Sequence, residues 1–450
     1  MSEGDVADAG DGIGPGAAFG SRDGRRARGL RRGMTAALRA SGEIRTQAVG
    51  EAFAAVPRHL FVPDVSLSLA YADVVVPTKF DRGGGAISAL SQPAIVAVML
   101  EQLDVRPGMR VLEIGAGTGY NAGLLGWLVG AAGQVVTVDV DEDIVEGARR
   151  HLAAAVAATA VAPGVPANIE VVLGDGALGH EPGAPYDRII ATVEAADVPA
   201  AWFAQLAPEG KVVLPLRIRG GVTRSVVLER EAGQEDEAGQ EDTATPIARW
   251  RGSRLEVCSF MPLRGIADDA AEFVELTRDG LVAVSVYAEQ HAGAGLARAL
   301  DHDGAERFTG VLFGSGESFS DLDLYLTCAL PSGMSRLSAT GPAVASGAVR
   351  PQFNWGAMCT VDGDSFAYLT LRRPEYEGFH VGSWEVGVVG HGPRGAALAD
   401  EVAAHITTWA AELRGAQAVL HIAQGDGREL LAGRCLVDKE ISRIAVDWVG

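Results

Sequence analysis

MRVLEIGAGTGY, Met109 to Tyr120, is the stretch on which the fold turns. Val111, Leu112 and Ile114 make a short apolar run, the mark of a buried strand. Gly115, Gly117 and Gly119 follow directly, and Asn121 to Val129 opens a helix. Glycines let the backbone turn sharply and approach a ligand, because no Cβ stands in the way. The free amides of a helix start then point into the space beyond the strand. One helix length later comes a second strand, Gln134 to Val138, with Asp139 at its tip. A third, Ile169 to Leu173, ends in Gly174-Asp175-Gly176. A carboxylate at the second strand's tip is placed to accept both ribose hydroxyls of a nucleoside, and one at the third can reach an adenine edge. Alternating strands and helices predict an α/β, doubly wound parallel sheet with its ligand crevice at the carboxyl ends of the strands.

The glycine spacing bears on which nucleoside. A dinucleotide fingerprint wants G-x-G-x-x-G, whose last glycine allows close helix packing. Here the spacing is G-x-G-x-G, preceded by Glu113. That pattern resembles the class I (Rossmann-like) methyltransferases, and the resemblance implies S-adenosyl-L-methionine as cofactor, a dinucleotide being the alternative. It also implies the donor site: Glu113, Gly115, Gly117 and Gly119 at the methionine part, Asp139 at the ribose, Asp175 and Gly176 at the adenine.

Size and charge bound the rest. At 450 residues the chain is long enough for two or three domains, and 48% hydrophobic with 21% charged residues is a globular balance. A formal charge of -20 repels phosphate backbones, so nucleic acid is not expected as a partner. The four cysteines, Cys258, Cys328, Cys359 and Cys435, form no C-x-x-C pair, so no metal site is expected and reduced, buried thiols are. No apolar run is long enough to span a bilayer and the N-terminus lacks an apolar signal core, so the expected setting is the cytoplasm, with no membrane partner.

Along the chain, residues 1–33 are expected to be a disordered arm: Gly, Ala and Asp first, then Arg22, Arg25, Arg26, Arg28, Arg31 and Arg32. The arginines could touch nucleic acid or an acidic peptide, or simply solvate an arm; a native start at Met34 is also open. Helices are expected over Thr35–Ile44 and Thr46–Ala55, broken at Ser41-Gly42. Residues 34–230 are then read as the catalytic domain. The tandem EAGQED, Glu231–Asp236 and Glu237–Asp242, makes 231–246 an acidic linker. Residues 247–450 are read as an α+β domain with strands at Ser253–Phe260, Asp279–Val286, Phe319–Leu326, Ser365–Leu371 and Ser383–Gly390. Closing strands are expected at Ala418–Ile422 and Ile441–Val449, and helices at Gly293–Leu300 and Arg394–Leu413. Asp321 and Asp323 could share a strand face, with an edge or loop as the plainer reading. Phe353, Trp355, Phe366, Tyr368 and Trp384 are expected in the core rather than in a peptide groove.

Within the first half, a run of phrases carries a narrower resemblance: Pro57-Arg58-His59-Leu60-Phe61-Val62-Pro63, Tyr71-Ala72-Asp73, Leu90-Ser91-Gln92-Pro93, the glycine loop, Gly174-Asp175-Gly176, Ala184-Pro185-Tyr186-Asp187-Arg188-Ile189-Ile190 and Leu206-Ala207-Pro208-Glu209-Gly210-Lys211. In that order they resemble the protein-L-isoaspartate O-methyltransferases, from about Met34 to Arg230. By that resemblance Ser91 is the active-site serine, and Tyr71, Asp73 and Gln92 stand with it on the substrate side. Ser88, in Ile87-Ser88-Ala89, competes with Ser91; the helix register after Pro93 favours Ser91. Two departures stand out. TKFDRGGGAISALSQ, Thr78 to Gln92, is longer and richer in glycine than the family's approach to the serine, and Gly83 to Gly85 are expected to be mobile or strongly turned. Glu194 replaces a small residue, and could bind an acceptor or face solvent.

The chemistry implied is methyl transfer to a carboxylate, which is already ionised at neutral pH and needs no general base. His59 is therefore read as structural. The acceptor implied is a peptide or protein carrying Asp or isoAsp, whose methyl ester closes to a succinimide with loss of methanol. The overall layout, an added domain behind an altered serine approach, resembles longer relatives that methylate an aspartate in ribosomally made modified (lanthipeptide-type) peptides; that is the expected function, with the second domain helping to grip the precursor. General isoaspartyl repair, small-molecule carboxyl methylation and a non-catalytic peptide-binding module are the alternatives, and oligomeric state is open.

Overall fold

A computed structural model describes residues 22–159, 168–231, 249–267, 271–374 and 382–450. The chain divides into two compact units, residues 1–190 with 205–207, and residues 191–204 with 208–450. Residues 208–230 fall in the second unit, where their strands pair antiparallel with each other and with residues 249–257.

The first unit opens with a helix, α1 (Arg22–Ser41), then α2 (Gln47–Ala55) and the short α3 (Leu67–Ala70). The arm expected over 1–33 is thus helical from Arg22; residues 1–21 lie outside the described part. Ala27, Met34 and Leu38 are buried at helical spacing, which is what orders the arginine-rich segment. Gly42, at φ +91°, ends α1 where a break is expected.

Next come β1 (Val76–Phe80) and β2 (Ala86–Leu90), an antiparallel hairpin. The glycine-rich insertion is therefore its turn. The Asp81 carboxylate accepts the amides of Gly83 and Gly85, both at 2.8 Å, and Gly84 sits at φ +85°. After the hairpin follow α4 (Pro93–Leu103), β3 (Arg110–Ile114), α5 (Tyr120–Val129), β4 (Gln134–Asp139), α6 (Glu142–Thr159), β5 (Ile169–Leu173) and β6 (Tyr186–Ala191). The strands lie in the order β6-β3-β4-β5, with β3, β4 and β5 parallel. Leu112 pairs with Val136 and Thr137 with Val171, so the tips of β3, β4 and β5 share one edge. The elaboration expected over 153–166 is helical as far as Thr159; residues 160–167 are outside the described part.

In the second unit, α7 (Ala200–Ala204) precedes the long antiparallel pair β7 (Leu206–Arg219) and β8 (Val222–Arg230), and then β9 (Arg249–Val257). The linker residues 232–248 lie outside the described part. A second sheet holds β10 (Glu272–Glu275), β11 (Val282–Val286), β12 (Ala305–Phe313), β13 (Ser335–Ala339), β14 (Gly356–Asp362), β15 (Ser365–Arg372) and β16 (Trp384–His391), ordered β10-β11-β13-β14-β15-β16-β12. Helices α8 (Ser320–Ala329), α9 (Gly341–Ala345) and α10 (Gly395–Glu412) accompany it. Strands β17 (Gln417–Gln424), β18 (Cys435–Asp438) and β19 (Ser442–Val449) return in the order β18-β19-β17-β9-β8-β7. Helix α10 buries Leu398, Val402, Ile406 and Trp409, one stripe at a spacing of three to four.

Three expectations for this unit change. Phe319–Leu326 is not a strand but the start of helix α8, so Asp321 and Asp323 stand in its first turn. Gly293–Leu300 is a 3₁₀ turn, Leu296–Asp301, rather than a helix. Phe366 and Tyr368 are core as expected, but Phe353, Trp355 and Trp384 are exposed. All four cysteines are free thiols.

Candidate active site

The site is built from the edge where β3, β4 and β5 end. Gly115 and Ala116 both donate their amides to the Val138 oxygen, at 2.8 and 3.1 Å, which ties the glycine loop to the tip of β4. Gly115, Gly117 and Gly119 take φ of +94°, +50° and +86°, values that cost an L side chain strain. A Cβ on Gly119 would also stand 3.3 Å from the Ala148 oxygen. The loop thus turns tightly enough for Gly119 to cap α5.

Asp139 shapes the other side. One carboxylate oxygen accepts the Gly117 amide at 3.1 Å and the other the Asp141 amide at 3.3 Å. The Asp139 main-chain oxygen accepts from Gly174 at 2.9 Å, bringing Asp175 and Gly176 alongside. Asp175 itself caps the next turn through the Ala177 amide, at 2.9 Å. Glu113 is fully buried on β3 and receives the Asn121 side chain at 2.8 Å, pinning α5 to the strand. Burial pushes its carboxyl up to about 7, against the pull of the hydrogen bond from Asn121.

The hairpin brings the serine. Ser91 follows β2, and the oxygen of Ala89, two residues earlier, lies 3.7 Å from where a Cβ on Gly117 would be. Ser88 is buried on β2 and takes a long bond from Thr78 across the hairpin, 3.4 Å. Ser91 is half-buried, and among the described residues its hydroxyl has no partner. Asp73 holds the backbone beside it: its two oxygens accept the Gln92 side chain and the Ala94 amide, both at 2.9 Å, and so cap α4. Tyr71 pairs with His59 Nδ1 at 2.7 Å. His59 is pushed down to about 4, first by burial and then by Arg31, so it is neutral at pH 7. Of the three residues expected on the substrate side, Asp73 and Gln92 brace the backbone next to Ser91, and Tyr71 pairs with His59.

Glu194 belongs to the second unit. Its carboxylate accepts the Thr223 hydroxyl at 2.6 Å, while its backbone pairs with Met261 and Leu263. Two residues escaped sequence reasoning. Arg58 is fully buried and donates to the oxygens of Ala70 and Ser91, at 2.8 and 2.7 Å, with its guanidinium 4.8 Å from the Tyr120 ring centre. Lys79 on β1 bridges Asp141 at 2.8 Å and Asp143 at 2.6 Å. Arg58 lies inside the phrase quoted for the family, where the neighbouring His59 draws attention away from it.

No group of three metal-ligating side chains is found among the described residues. No described helix is long and apolar enough to cross a membrane. What the residues do fit is a nucleoside sulfonium: a loop in which every second residue is glycine, beside two strand-end carboxylates.

Residues 31–243 match the family model for protein-L-isoaspartate(D-aspartate) O-methyltransferase. The protein-L-isoaspartate O-methyltransferase of Methanopyrus kandleri is 37% identical over 228 residues, 51% of this chain and 88% of its own length. Protein-L-isoaspartate O-methyltransferase 1 of Archaeoglobus fulgidus is 41% identical over 189 residues, 42% of this chain and 79% of its own. Among solved structures, a putative protein-L-isoaspartate O-methyltransferase from Plasmodium falciparum in complex with S-adenosyl-L-homocysteine aligns over 52% of this chain and 98% of its own, at 17% identity and a TM-score of 0.39. The sequence relationship carries the assignment. The first unit has the class I methyltransferase fold, the cofactor is S-adenosyl-L-methionine and the enzyme is a carboxyl O-methyltransferase. The chain belongs to the protein-L-isoaspartate O-methyltransferase family.

Proposed function

We propose that the enzyme methylates the free carboxylate of isoaspartyl residues in proteins and peptides of varied sequence, in the cytoplasm. The observation that supports this best is that the Asp139 carboxylate accepts the Gly117 amide while Gly117 lies beside Ala89, in the hairpin that leads to Ser91.

The donor supplies, when bound, an electrophilic methyl carbon on a sulfonium. Asp139 would hold its ribose, and the glycine loop would lie against its methionine part. The acceptor carboxylate is ionised at neutral pH, so it needs no base to take the methyl group as the carbon–sulfur bond breaks and the neutral thioether leaves. Ser91 donates a hydrogen bond that orients it, and Arg58 and Asp73 fix the backbone on either side of that serine. Positioning of this kind supplies on the order of 7–11 kcal/mol.

The test is to offer isoaspartyl peptides of unrelated sequence, each beside its normal aspartyl counterpart, with radiolabelled donor. Base-labile label on the isoaspartyl peptides alone is expected. Label on neither, with the donor bound, refutes the proposal.

A second reading, tailoring of one ribosomally made peptide at a chosen aspartate, is favoured by a feature of the second unit. Phe353 and Trp355 are exposed and stacked, ring centres 5.2 Å apart, with Arg336 5.3 Å from the Trp355 ring. Such a surface suits a peptide. Equal turnover of unrelated isoaspartyl peptides and any candidate precursor rules this reading out.

A further inference from the structure

A pocket of about 410 Å³ lies in the first unit between α1 and the segment before the hairpin. Its floor is Leu30, Met34 and Leu38; Tyr71 and Asp73 close the far side. The lining is largely apolar. On α1, Gly33 opens onto the pocket, and a Cβ built there meets nothing within 4 Å. Leu30 precedes the start of the family match at residue 31, so this wall is partly the chain's own.

Two features say what enters. The first is continuity with the acceptor side. Asp73, on the pocket wall, bonds the Gln92 side chain at 2.9 Å, and Gln92 adjoins Ser91. Asp73 thus joins the pocket wall to the segment that carries Ser91. The second is charge. Arg26 is exposed one helical turn before Leu30, on the same face of α1, within an arginine-rich helix of an otherwise acidic protein. An acidic chain is drawn to that rim and repelled by the rest of the surface. A volume of this size is that of a small-ligand site and exceeds one aliphatic side chain.

We propose that this pocket is an acceptor subsite that takes apolar side chains flanking the isoaspartate of an acidic peptide. The proposal rests on the function proposed above and adds a sequence preference to it.

The test uses the full-length enzyme and two synthetic isoaspartyl peptides of equal length and charge, one with Leu and Phe on both sides of the isoaspartate, the other with Ser. The wild type is expected to show a KM about ten-fold lower for the Leu/Phe peptide, with equal kcat. Gly33→Leu fills the pocket and should abolish that difference, leaving kcat and the affinity for S-adenosyl-L-homocysteine unchanged. It replaces a poor helix former by a good one, so the fold should tolerate it. No preference in the wild type, or an undiminished one in Gly33→Leu, overturns the proposal. Should neither peptide be methylated, the proposed function fails instead. The subsite is then read from the anisotropy of fluorescein-labelled Leu/Phe peptide: about ten-fold weaker binding to Gly33→Leu supports it, and equal binding overturns it.

Discussion

The guanidinium of Arg58 donates to the main-chain oxygen of Ser91 at 2.7 Å, from a position with no solvent exposure. The same side chain serves Ala70 and lies over Tyr120, the first residue of the helix after the glycine loop. Removing it would take the donor from two carbonyl oxygens, that of Ala70 buried and that of Ser91 partly so. Arg58→Met should therefore cost on the order of 2–4 kcal/mol, read by urea unfolding. Its activity well below the melting temperature should fall further than the folded fraction does. Loss of stability with full activity per folded molecule would show that Ser91 is positioned by other groups.

Asp139→Ala should weaken binding of S-adenosyl-L-homocysteine about ten- to a hundred-fold by calorimetry, since a charged acceptor and the brace on Gly117 are lost together. Unchanged affinity would refute the ribose assignment.

Ser91→Ala should lower kcat/KM for an isoaspartyl peptide by about ten- to a hundred-fold while leaving donor affinity alone. Ser88→Ala, losing only a long bond inside the hairpin, should leave kcat/KM almost intact. The reverse outcome would move the orienting hydroxyl to Ser88.

The buried Glu113 predicts a pH dependence. Burial raises its carboxyl from 4.5 to about 7, so the native protein keeps a proton that the unfolded chain has released. Stability from this group is therefore full below pH 4.5 and falls as pH rises to about 7, at up to about 1.4 kcal/mol per pH unit. Denaturation across that range should show the fall in the wild type and a flatter profile in Glu113→Gln. Identical profiles would mean that Glu113 is ionised in the folded protein at all these pH values.

Local signals made the strands β3, β4 and β5 and the helix α5 legible, because each combines an apolar run with glycine or a strand-end carboxylate. Helix α8 was not legible. Leu322, Leu324, Tyr325 and Leu326 are all buried, so the helix is covered on several sides and Leu322, Leu324 and Leu326 read as a strand's period of two. The start of α1 was hidden by its arginines, whose charge outweighs a thin stripe of Ala27, Met34 and Leu38. The hairpin before Ser91 closes through Asp81, a side chain-to-backbone contact that glycine content alone disguises as a loose loop. Arg58 was missed for a different reason: its partners lie 12 and 33 residues away, and no periodicity reports such a bond.

Lys79 ties the hairpin that ends at Ser91 to Asp141, whose own amide rests on Asp139. On the proposed roles of Asp139 and Ser91, donor and acceptor would share one ordering cost. A ligand that stiffens the loop at Asp139 also stiffens the approach to the serine, and the second arrival finds it already set. Cooperativity between the two follows, equal in both directions. Because its link is a partly exposed ion pair, that coupling should fade as ionic strength rises.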